Sequence, residues 1–271
     1  MMIWQCRDKK IDCSKKTLIM AIINVTPDSF SDGGKNFAPE QAVKSALEAQ
    51  ENGADIIDIG AQSTRPGHTP ISDKEEWKRL EPVLSGLKGK ISIPLSVDTF
   101  YPFVAQMAAE YGADIINDVS GVVRRTMAHV VKSTGCGWVI TFNAEGAQRE
   151  AAEFFNTSAG RAQEMGVKKE SICFDPGIGF SKTRAQDLAL LANIKEYRLP
   201  DYPFLLGTSR KRVIGLASGQ PDPEKRVYGN IAADTAAVLA GANIIRLHDV
   251  INEKQGILTA DALKSHVNKM N

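Results

Sequence analysis

Carboxylate, amide and cationic side chains follow several short apolar runs, where parallel strands of an α/β protein present residues for chemistry. Seven such residues are the candidates for a site: Asn24, Asp98, Asn117, Asp175, Lys211, Arg246 and His248. A single polar residue at a strand end usually caps the next helix, and for Thr99, Asp118 and Asp249 capping is an equally good interpretation. Capping does not explain basic residues, because a helix amino terminus repels cations. The set therefore predicts a functional site.

These candidates divide into two groups by chemistry. The first supplies acceptors, an amide and a cation: Asp98, Asn117, Asp175 and Lys211. Carboxylates accept from ring NH and NH2 groups and a lysine donates to a carbonyl oxygen, so this group suits a planar heterocycle with an amidine-like edge. The second group suits a phosphate or pyrophosphate with a hard cation nearby: Arg65, Arg246, His248 and Asn24.

Eight short, nearly continuous apolar runs must position these residues: 17–25, 53–60, 90–98, 112–119, 136–143, 171–176, 202–209 and 241–250. Such runs are typical of strands covered on both faces. The segments GADIIDIG, GADIINDV and GANIIRLHDV repeat one plan of Gly-Ala turn, β-branched run and polar end.

Helical patterns alternate with the runs, at residues 39–52, 74–87, 101–111 and 224–240. Asp73 and Asp222-Pro223 are plausible helix starts. Alternating strands and helices over most of the chain predict a (β/α)8 TIM barrel, with residues 1–271 forming a single domain. A doubly wound open sheet is the alternative.

Composition excludes several classes of function. The chain has 271 residues and a net charge of +1, so no overall basic field exists to bind nucleic acid. No apolar run approaches the about 20 residues of a membrane helix, and the amino terminus lacks the apolar segment of a secretory signal. We therefore expect a cytoplasmic protein without a nucleic-acid or membrane partner.

Motifs of other chemistries are missing as well. The four cysteines, Cys6, Cys13, Cys136 and Cys173, form no C-x-x-C pair, which argues against a zinc knuckle or a disulfide framework. Cys136 and Cys173 stand in apolar runs and are expected to be buried. The sequence has no phosphate loop, no G-x-G-x-x-G fingerprint, no G-x-S-x-G elbow and no H-E-x-x-H pair.

Seven stretches resemble the dihydropteroate synthase family, in that family's order and spacing: IMAIINVTPDSFSDGG, GADIIDIGAQSTRPG, LSVDT, ADIINDVSG, FDPGIGFSK, LLGTSRKRVIG and IIRLHDV. The resemblance runs nearly the full chain. It implies a (β/α)8 barrel that joins 7,8-dihydropterin-6-ylmethyl pyrophosphate to p-aminobenzoate and releases pyrophosphate and 7,8-dihydropteroate. It also implies a homodimer, a magnesium ion and a role as a sulfonamide target in folate biosynthesis.

The resemblance further implies a role for each matching residue. It assigns the pterin to Asp98, Asn117, Asp175 and Lys211. It assigns the pyrophosphate to Arg246, His248 and Asn24, with Mg2+ at Asn24 and Asp28. Two loops that close over the site would contain Thr26 to Gly34, and Thr64 with Arg65. The p-aminobenzoate pocket would be shaped by Phe30, Pro66, Phe180, Ser209 and Lys211.

In the Ser209-Arg210-Lys211-Arg212 run, Ser209 and Lys211 are predicted to face the pocket, because residues two apart in a strand share a face. Arg210 would then point away from Lys211. Arg212 would be a solvated residue at the start of a helix. The run is therefore predicted to supply one cation to the site, not a basic patch.

The sequence departs from the family pattern at two motifs, and the segment from Ala144 to Lys169, between strands five and six, is also shorter than usual in the family. Ala61-Gln62 stands where the family has Gly-Glu, and Thr141-Phe142-Asn143 stands where it has Met-His-Met. We interpret both as divergence within the activity. Two alternatives remain: a pterin-binding methyltransferase acting with a corrinoid protein, which needs no pyrophosphate grip, and a pterin-binding paralogue that has lost turnover.

Overall fold

An antiparallel hairpin begins the chain: β1 (Ile3–Cys6) pairs with β2 (Lys9–Asp12) in the computed structural model, which describes residues 1–25, 38–62 and 69–270. Burial alternates along β1, so that Trp4 and Cys6 point inward. The hairpin is an addition to the eight predicted strands. Its charged second strand, KKID, breaks the apolar pattern by which the other strands were recognised.

Eight parallel strands follow: β3 (Leu18–Asn24), β4 (Ile56–Gly60), β5 (Leu95–Asp98), β6 (Ile115–Asp118), β7 (Gly137–Thr141), β8 (Ile172–Asp175), β9 (Leu205–Leu206) and β10 (Ile244–Leu247). Each lies within one of the predicted apolar runs. Burial is complete or nearly complete along most of them, as expected for strands covered on both faces.

The strands pair in the order β8-β7-β6-β5-β4-β3-β10-β9. A parallel bridge between Phe174 of β8 and Phe204, next to β9, closes the ring, and Phe174 N donates to Pro203 O at 3.0 Å. A doubly wound sheet would instead reverse its strand order at a switch point. The predicted (β/α)8 barrel is confirmed.

Helices surround the barrel: α1 (Ala38–Glu51), α2 (Asp73–Leu87), α3 (Pro102–Glu110), α4 (Arg125–Thr134), α5 (Gln148–Glu164), α6 (Arg184–Ala192), α7 (Ile194–Tyr197), α8 (Arg212–Ser218), α9 (Val227–Ala240) and α10 (Val250–Met270). The predicted start at Asp73 is confirmed, with Ser72 as the N-cap. The predicted start of α9 at Glu224 is wrong. Asp222 Oδ1 accepts from Glu224 N, and Pro223–Lys225 forms a separate 3-10 turn.

The amino-terminal end of the barrel is filled by apolar side chains. Trp4 of the hairpin is fully buried there, and its indole Nε1 donates to Ser171 O at 3.0 Å. It packs with inward-facing strand residues: Leu18, Met20, Ile56, Ile115, Val139, Cys173, Leu205 and Ile244. The hairpin therefore seals this end.

The predicted burial of Cys136 and Cys173 is confirmed. Within the described ranges, every helix is too short or too polar to cross a membrane.

Candidate active site

The inward-facing residues of the barrel strands change from apolar to polar toward the carboxyl ends. The change occurs between residues two apart in sequence: Ile56 and Asp58, Ile115 and Asn117, Cys173 and Asp175, and Ile244 and Arg246. Residues two apart share a face of a strand, so each polar residue stands above an apolar one in the lumen. We call this polar end the mouth of the barrel, where active sites of this architecture lie.

Strand register brings the predicted residues to one level. Asp98 of β5 pairs with Asn117 of β6 and with Gly60 of β4. Gly60 in turn pairs with Asn24, whose side chain is exposed at the end of β3. The parallel register therefore accounts for the convergence of these residues from distant parts of the sequence.

Arg246 is the centre of the charge network. Its Nε donates to Asp58 Oδ2 at 2.6 Å and its Nη2 donates to Asp98 Oδ2 at 2.8 Å. Asp58 is fully buried and the Arg246 side chain is only 17% exposed, so these ion pairs are poorly screened. Burial raises the pKa of Asp98 above its ordinary value, while Arg246 opposes that shift. The two predicted groups are therefore joined, because Arg246 of the phosphate group contacts Asp98 of the heterocycle group.

Asn117 presents an acceptor to the lumen. Its Nδ2 donates to Asp58 Oδ2 at 3.1 Å, which fixes the orientation of the amide. Its Oδ1 is buried and accepts no hydrogen bond from the described residues. Asp58 also accepts from Ser96 Oγ at 2.6 Å. Since buried polar atoms are normally paired, the free oxygen of Asn117 indicates a ligand with a donor group.

Lys211 and Asp175 form the opposite wall. Lys211 Nζ lies 4.3 Å from the centroid of the Phe180 ring, and Lys211 is half-buried. Burial, and then the charge of Arg246, lower the pKa of Lys211 to about 8, although Asp175 and Asp98 oppose the shift. Asp175 Oδ1 accepts from Gly177 N at 2.7 Å. A Cβ at Gly177 would collide with Phe142 O, so this turn requires glycine.

Ser209 connects two strand ends. Its Oγ is 3.0 Å from His248 Nδ1 and accepts from His248 N at 3.2 Å. Arg210 instead forms an ion pair with Glu224 at 2.9 Å, and Arg212 is exposed as the first residue of α8. The run therefore supplies Lys211 as its cation to the mouth, but the predicted reason, alternation along a strand, is wrong, because β9 ends at Leu206 and Lys211 N bonds to Thr208 O in a turn.

Helix capping is confirmed for Asp249 and is wrong for Asp118 and Thr99, whose hydrogen bonds lie in turns before α4 and α3 begin. Asp118 Oδ1 accepts from Ser120 N, Asp249 Oδ1 accepts from Asn252 N, and Thr99 Oγ1 accepts from Tyr101 N. Thr99 also donates to Glu76, a buried carboxyl whose pKa is raised by burial to about 7. These contacts are local, and they do not require a ligand.

Five predicted site residues lie outside the described residues: Asp28, Phe30, Thr64, Arg65 and Pro66. Their predicted roles stay predictions. Among the described residues, no group of three or more His, Cys, Asp or Glu side chains is placed to hold a metal ion. Asn24 offers one amide oxygen at the mouth. Oxygen donors suit Mg2+, which usually keeps several waters and substrate phosphates as its other ligands, so Asn24 fits the predicted ion.

Two functional features were missed by reasoning from the sequence. Asp58 stands two residues before the end of β4, and the only signal was one carboxylate inside an apolar run. Lys182 is the second, since its Nζ donates to Phe142 O at 2.6 Å and to Gly177 O at 3.1 Å. Lys182 thereby holds the turn after Asp175. Within the Thr141-Phe142-Asn143 departure, Lys182 contacts only the backbone oxygen of Phe142. Any residue at that position would offer the same oxygen.

Both departures from the family pattern are accommodated. Asn143 Nδ2 donates to Val119 O at 2.8 Å, and Phe142 is buried against Phe154. Gln62 Oε1 accepts from Ile71 N at 2.8 Å. Thr141 is fully buried with an Oγ1 that has no partner among the described residues. The floor of the mouth near β7 therefore differs from the family pattern in chemistry, while its backbone is firmly held.

Comparison with known proteins identifies the family of the chain. The profile of the family described as "Pterin binding enzyme" matches residues 20–248. A dihydropteroate synthase of Synechocystis is 39% identical over 265 residues, which cover 93% of this chain and 92% of the relative. The dihydropteroate synthase of Xanthomonas albilineans with 4-aminobenzoic acid has a TM-score of 0.91 and 35% identity, covering 97% of this chain and 98% of that one.

A third similar protein is the dihydropteroate synthase of Burkholderia cenocepacia complexed with 7,8-dihydropteroate, with a TM-score of 0.88, 31% identity, and coverage of 99% of this chain and 98% of that one. The chain belongs to the pterin binding enzyme family. Its activity is the transferase activity of dihydropteroate synthases, which serves folate synthesis.

Proposed function

We propose that the mouth of the barrel condenses 7,8-dihydropterin-6-ylmethyl pyrophosphate with p-aminobenzoate. The C–O bond between the pterin methylene and the pyrophosphate breaks, a C–N bond forms to the arylamine, and the amine loses a proton. The observation that supports this proposal is the set of polar groups around Asn117 Oδ1, which is buried and has no partner among the described residues. Asp98 and Lys211 face the same lumen. That set matches the donors and acceptors of a pterin ring.

The pterin contacts divide between acceptors and one donor. Asp98 and Asp175 accept from the ring NH and NH2 groups, Asn117 Oδ1 accepts a further NH, and Lys211 donates to the carbonyl oxygen. Burial raises the pKa of Asp175, while Gly177 N and Lys211 oppose that shift. Bonds to charged groups contribute about 1.5–3 kcal/mol each, so three or four of them orient a small substrate.

The leaving pyrophosphate is held on the other side of the mouth. Arg246 and His248 provide the cationic and ring N–H donors, and Asp58 keeps the Arg246 guanidinium in the lumen through the 2.6 Å ion pair. Stabilising a departing anion is worth more than activating the nucleophile here, because the arylamine lone pair is delocalised into its ring. Arg65, outside the described residues, is proposed to complete this group.

The arylamine enters beside Phe180 and Ser209, with Phe30 and Pro66 as the proposed remainder of its pocket. The Phe180 ring lies against the Lys211 ammonium, which places an apolar face next to the pterin site. Closure of the two loops over the mouth would keep water from the electrophilic methylene. A sulfonamide carries the same aromatic amine, so we expect it to compete with p-aminobenzoate in this pocket.

Asn24 and Asp28 are proposed to hold Mg2+ together with the substrate pyrophosphate. The bound ion would neutralise charge on the leaving group. Asn24 lies one strand from Asp58 and Arg246, on the side that we assign to the pyrophosphate. Cytoplasmic location is also proposed, because Cys6, Cys13, Cys136 and Cys173 are all free thiols, as is usual in a reducing compartment.

A homodimer is proposed through the outer face of α9 and α10. Large apolar side chains are exposed there, with Tyr228 86%, Ile251 62% and Leu263 53% exposed. Apolar surface of this kind, grouped on two packed helices, is typical of a protein interface. Light scattering should give twice the chain mass for the wild type, and Tyr228→Glu should shift the protein to monomer; a monomeric wild type would refute the dimer.

The activity is tested by pyrophosphate release from purified protein. Release should require both p-aminobenzoate and Mg2+, and 7,8-dihydropteroate should form in equal amount. Folded protein that binds the pterin pyrophosphate without product would identify a paralogue that has lost turnover. Methyl transfer from methyltetrahydrofolate to a corrinoid protein, without pyrophosphate release, would identify the methyltransferase. Either result would overturn the proposal.

A further inference from the structure

The face of α9 toward the barrel carries polar residues where apolar packing is expected. Arg226 precedes the helix, and Asn230 and Asp234 follow at intervals of four, so the three form one stripe. Arg226 is 9% exposed, and Asn230 and Asp234 are each 1% exposed. A buried stripe of this kind is costly unless its groups are paired. Asn230 Oδ1 has no partner among the described residues, so the partners of Arg226 and Asp234 are the ones that show what the stripe does.

Arg226 binds backbone carbonyl groups of the turn that ends in Lys211. Its Nη1 donates to Arg210 O at 2.8 Å and to Lys211 O at 3.3 Å. Its Nε donates to Gln220 O at 3.0 Å, and its Nη2 donates to Pro221 O. The fork of the guanidinium thus joins two segments that approach from opposite ends of α8. A lysine ammonium has no such planar fork.

Asp234 holds the other end of the same turn. Its Oδ1 accepts from Thr208 Oγ1 at 2.6 Å, and Thr208 is fully buried. The second oxygen, Oδ2, is buried and accepts no hydrogen bond from the described residues, and the buried carboxyl of Glu253 on α10 lies close enough to influence it. Burial raises the pKa of both carboxyls. The bond from Thr208 is therefore the contact through which Asp234 holds the turn.

The turn between these two anchors is strained. Arg210 adopts a φ of +61°, the left-handed region that a residue with a side chain rarely occupies. Lys211 N donates to Thr208 O at 3.0 Å, which closes the turn. A strained turn persists only where its surroundings hold it. Ser209, at the centre of the turn, contacts His248, and Lys211 reaches the mouth.

We propose that Arg226 and Asp234 are positioning residues that hold the Thr208–Lys211 turn and so place Ser209 and Lys211 in the active site. Neither contacts the space assigned to the substrates, and both act through the backbone or through Thr208. This inference rests on the proposed function for the role of Lys211. A displacement of about 1 Å in a catalytic group can lower a rate by about 100-fold, so anchors of this kind matter to catalysis.

The test uses Arg226→Lys, with Arg212→Lys as a matched control on the exposed residue next to Lys211. Arg226→Lys should fold and should lose about 10- to 100-fold in kcat/KM, while Arg212→Lys should stay within about twofold.

Asp234→Ala should lose activity in the same way. Asp234→Asn should recover most of it, because its amide oxygen can still accept from Thr208. Should Arg226→Lys not fold, Thr208→Val tests the second anchor.

A second readout does not depend on turnover. Competitive acetylation followed by mass spectrometry gives the apparent pKa of Lys211, which Arg246, Asp175, Asp98 and Asp187 all influence. In the wild type and Arg212→Lys it should lie near 8, and it should rise in Arg226→Lys and Asp234→Ala as the lysine moves out of the mouth toward solvent. An unchanged pKa and an unchanged kcat/KM in those variants would overturn the positioning role. A shifted pKa in a protein without synthase turnover would overturn the proposed function instead.

Discussion

The two ends of the barrel lumen are built on the same strands but from opposite kinds of residue. At the amino-terminal end, Trp4 of the hairpin packs on apolar strand residues such as Ile115 and Ile244. Two residues further along those strands stand Asn117 and Arg246. The backbone is regular at both ends, so the difference lies in the side chains. One end contributes to stability and the other to chemistry.

The two ends of the lumen contribute differently to the free energy of folding. Apolar burial contributes about 25 cal/mol per Å2, whereas buried ion pairs such as Arg246–Asp58 often contribute no net stability. The mouth therefore keeps its charges for function, and the sealed end compensates for their cost. This predicts that substitutions at the two ends have different effects: those at the mouth should reduce activity, and those at the sealed end should reduce stability.

The largest effect is expected at Lys211. Lys211→Ala removes the donor to the pterin carbonyl and should abolish turnover, a loss of more than about 100-fold in kcat/KM. It also removes a desolvated cation, so the melting temperature should stay the same or rise. Steady-state kinetics and thermal denaturation measure both. A variant that loses stability as well as activity would contradict the separation of the two ends.

The opposite result, a loss of stability without a loss of activity, is expected at Trp4. Trp4→Ala opens a cavity in the sealed end and removes the hydrogen bond to Ser171, so unfolding should become easier by about 3–5 kcal/mol. The kcat of the protein that stays folded should not change, since the mouth is at the other end of the lumen. Urea unfolding with activity assays below the transition checks this. A tenfold fall in kcat at full folding would show that the ends are coupled.

The pH dependence of kcat/KM tests the protonation states of the residues at the mouth. The protonated form of Lys211 is the donor, and its pKa is lowered to about 8, so kcat/KM should fall about tenfold per pH unit above 8. On the acid side, the ionised form of Asp98 is the acceptor. Because its pKa is raised, activity should decline at a higher pH than for an ordinary carboxyl. A profile flat up to pH 10 would exclude Lys211 as the required donor.

Much of this site could be predicted from the sequence because parallel strands end at one edge. Reading the strand ends was enough to select Asp98, Asn117, Asp175, Lys211 and Arg246. It did not reveal that Arg246 pairs with Asp58, because β10 and β4 are separated by β3 and the contact crosses the lumen. Contacts of this kind depend on barrel closure and side-chain length, which no local pattern contains.

The smallest effect is expected at Arg212, one residue from the largest. Arg212→Ala removes an exposed cation at the start of α8, and exposed charges contribute about 0–1 kcal/mol. Activity should stay within about twofold and stability should hardly change. Kinetics at low and high salt provide the measurement, because a role in steering the anionic substrate would appear only at low salt. A large loss at both salt concentrations would mean that the turn depends on more than Arg226 and Asp234.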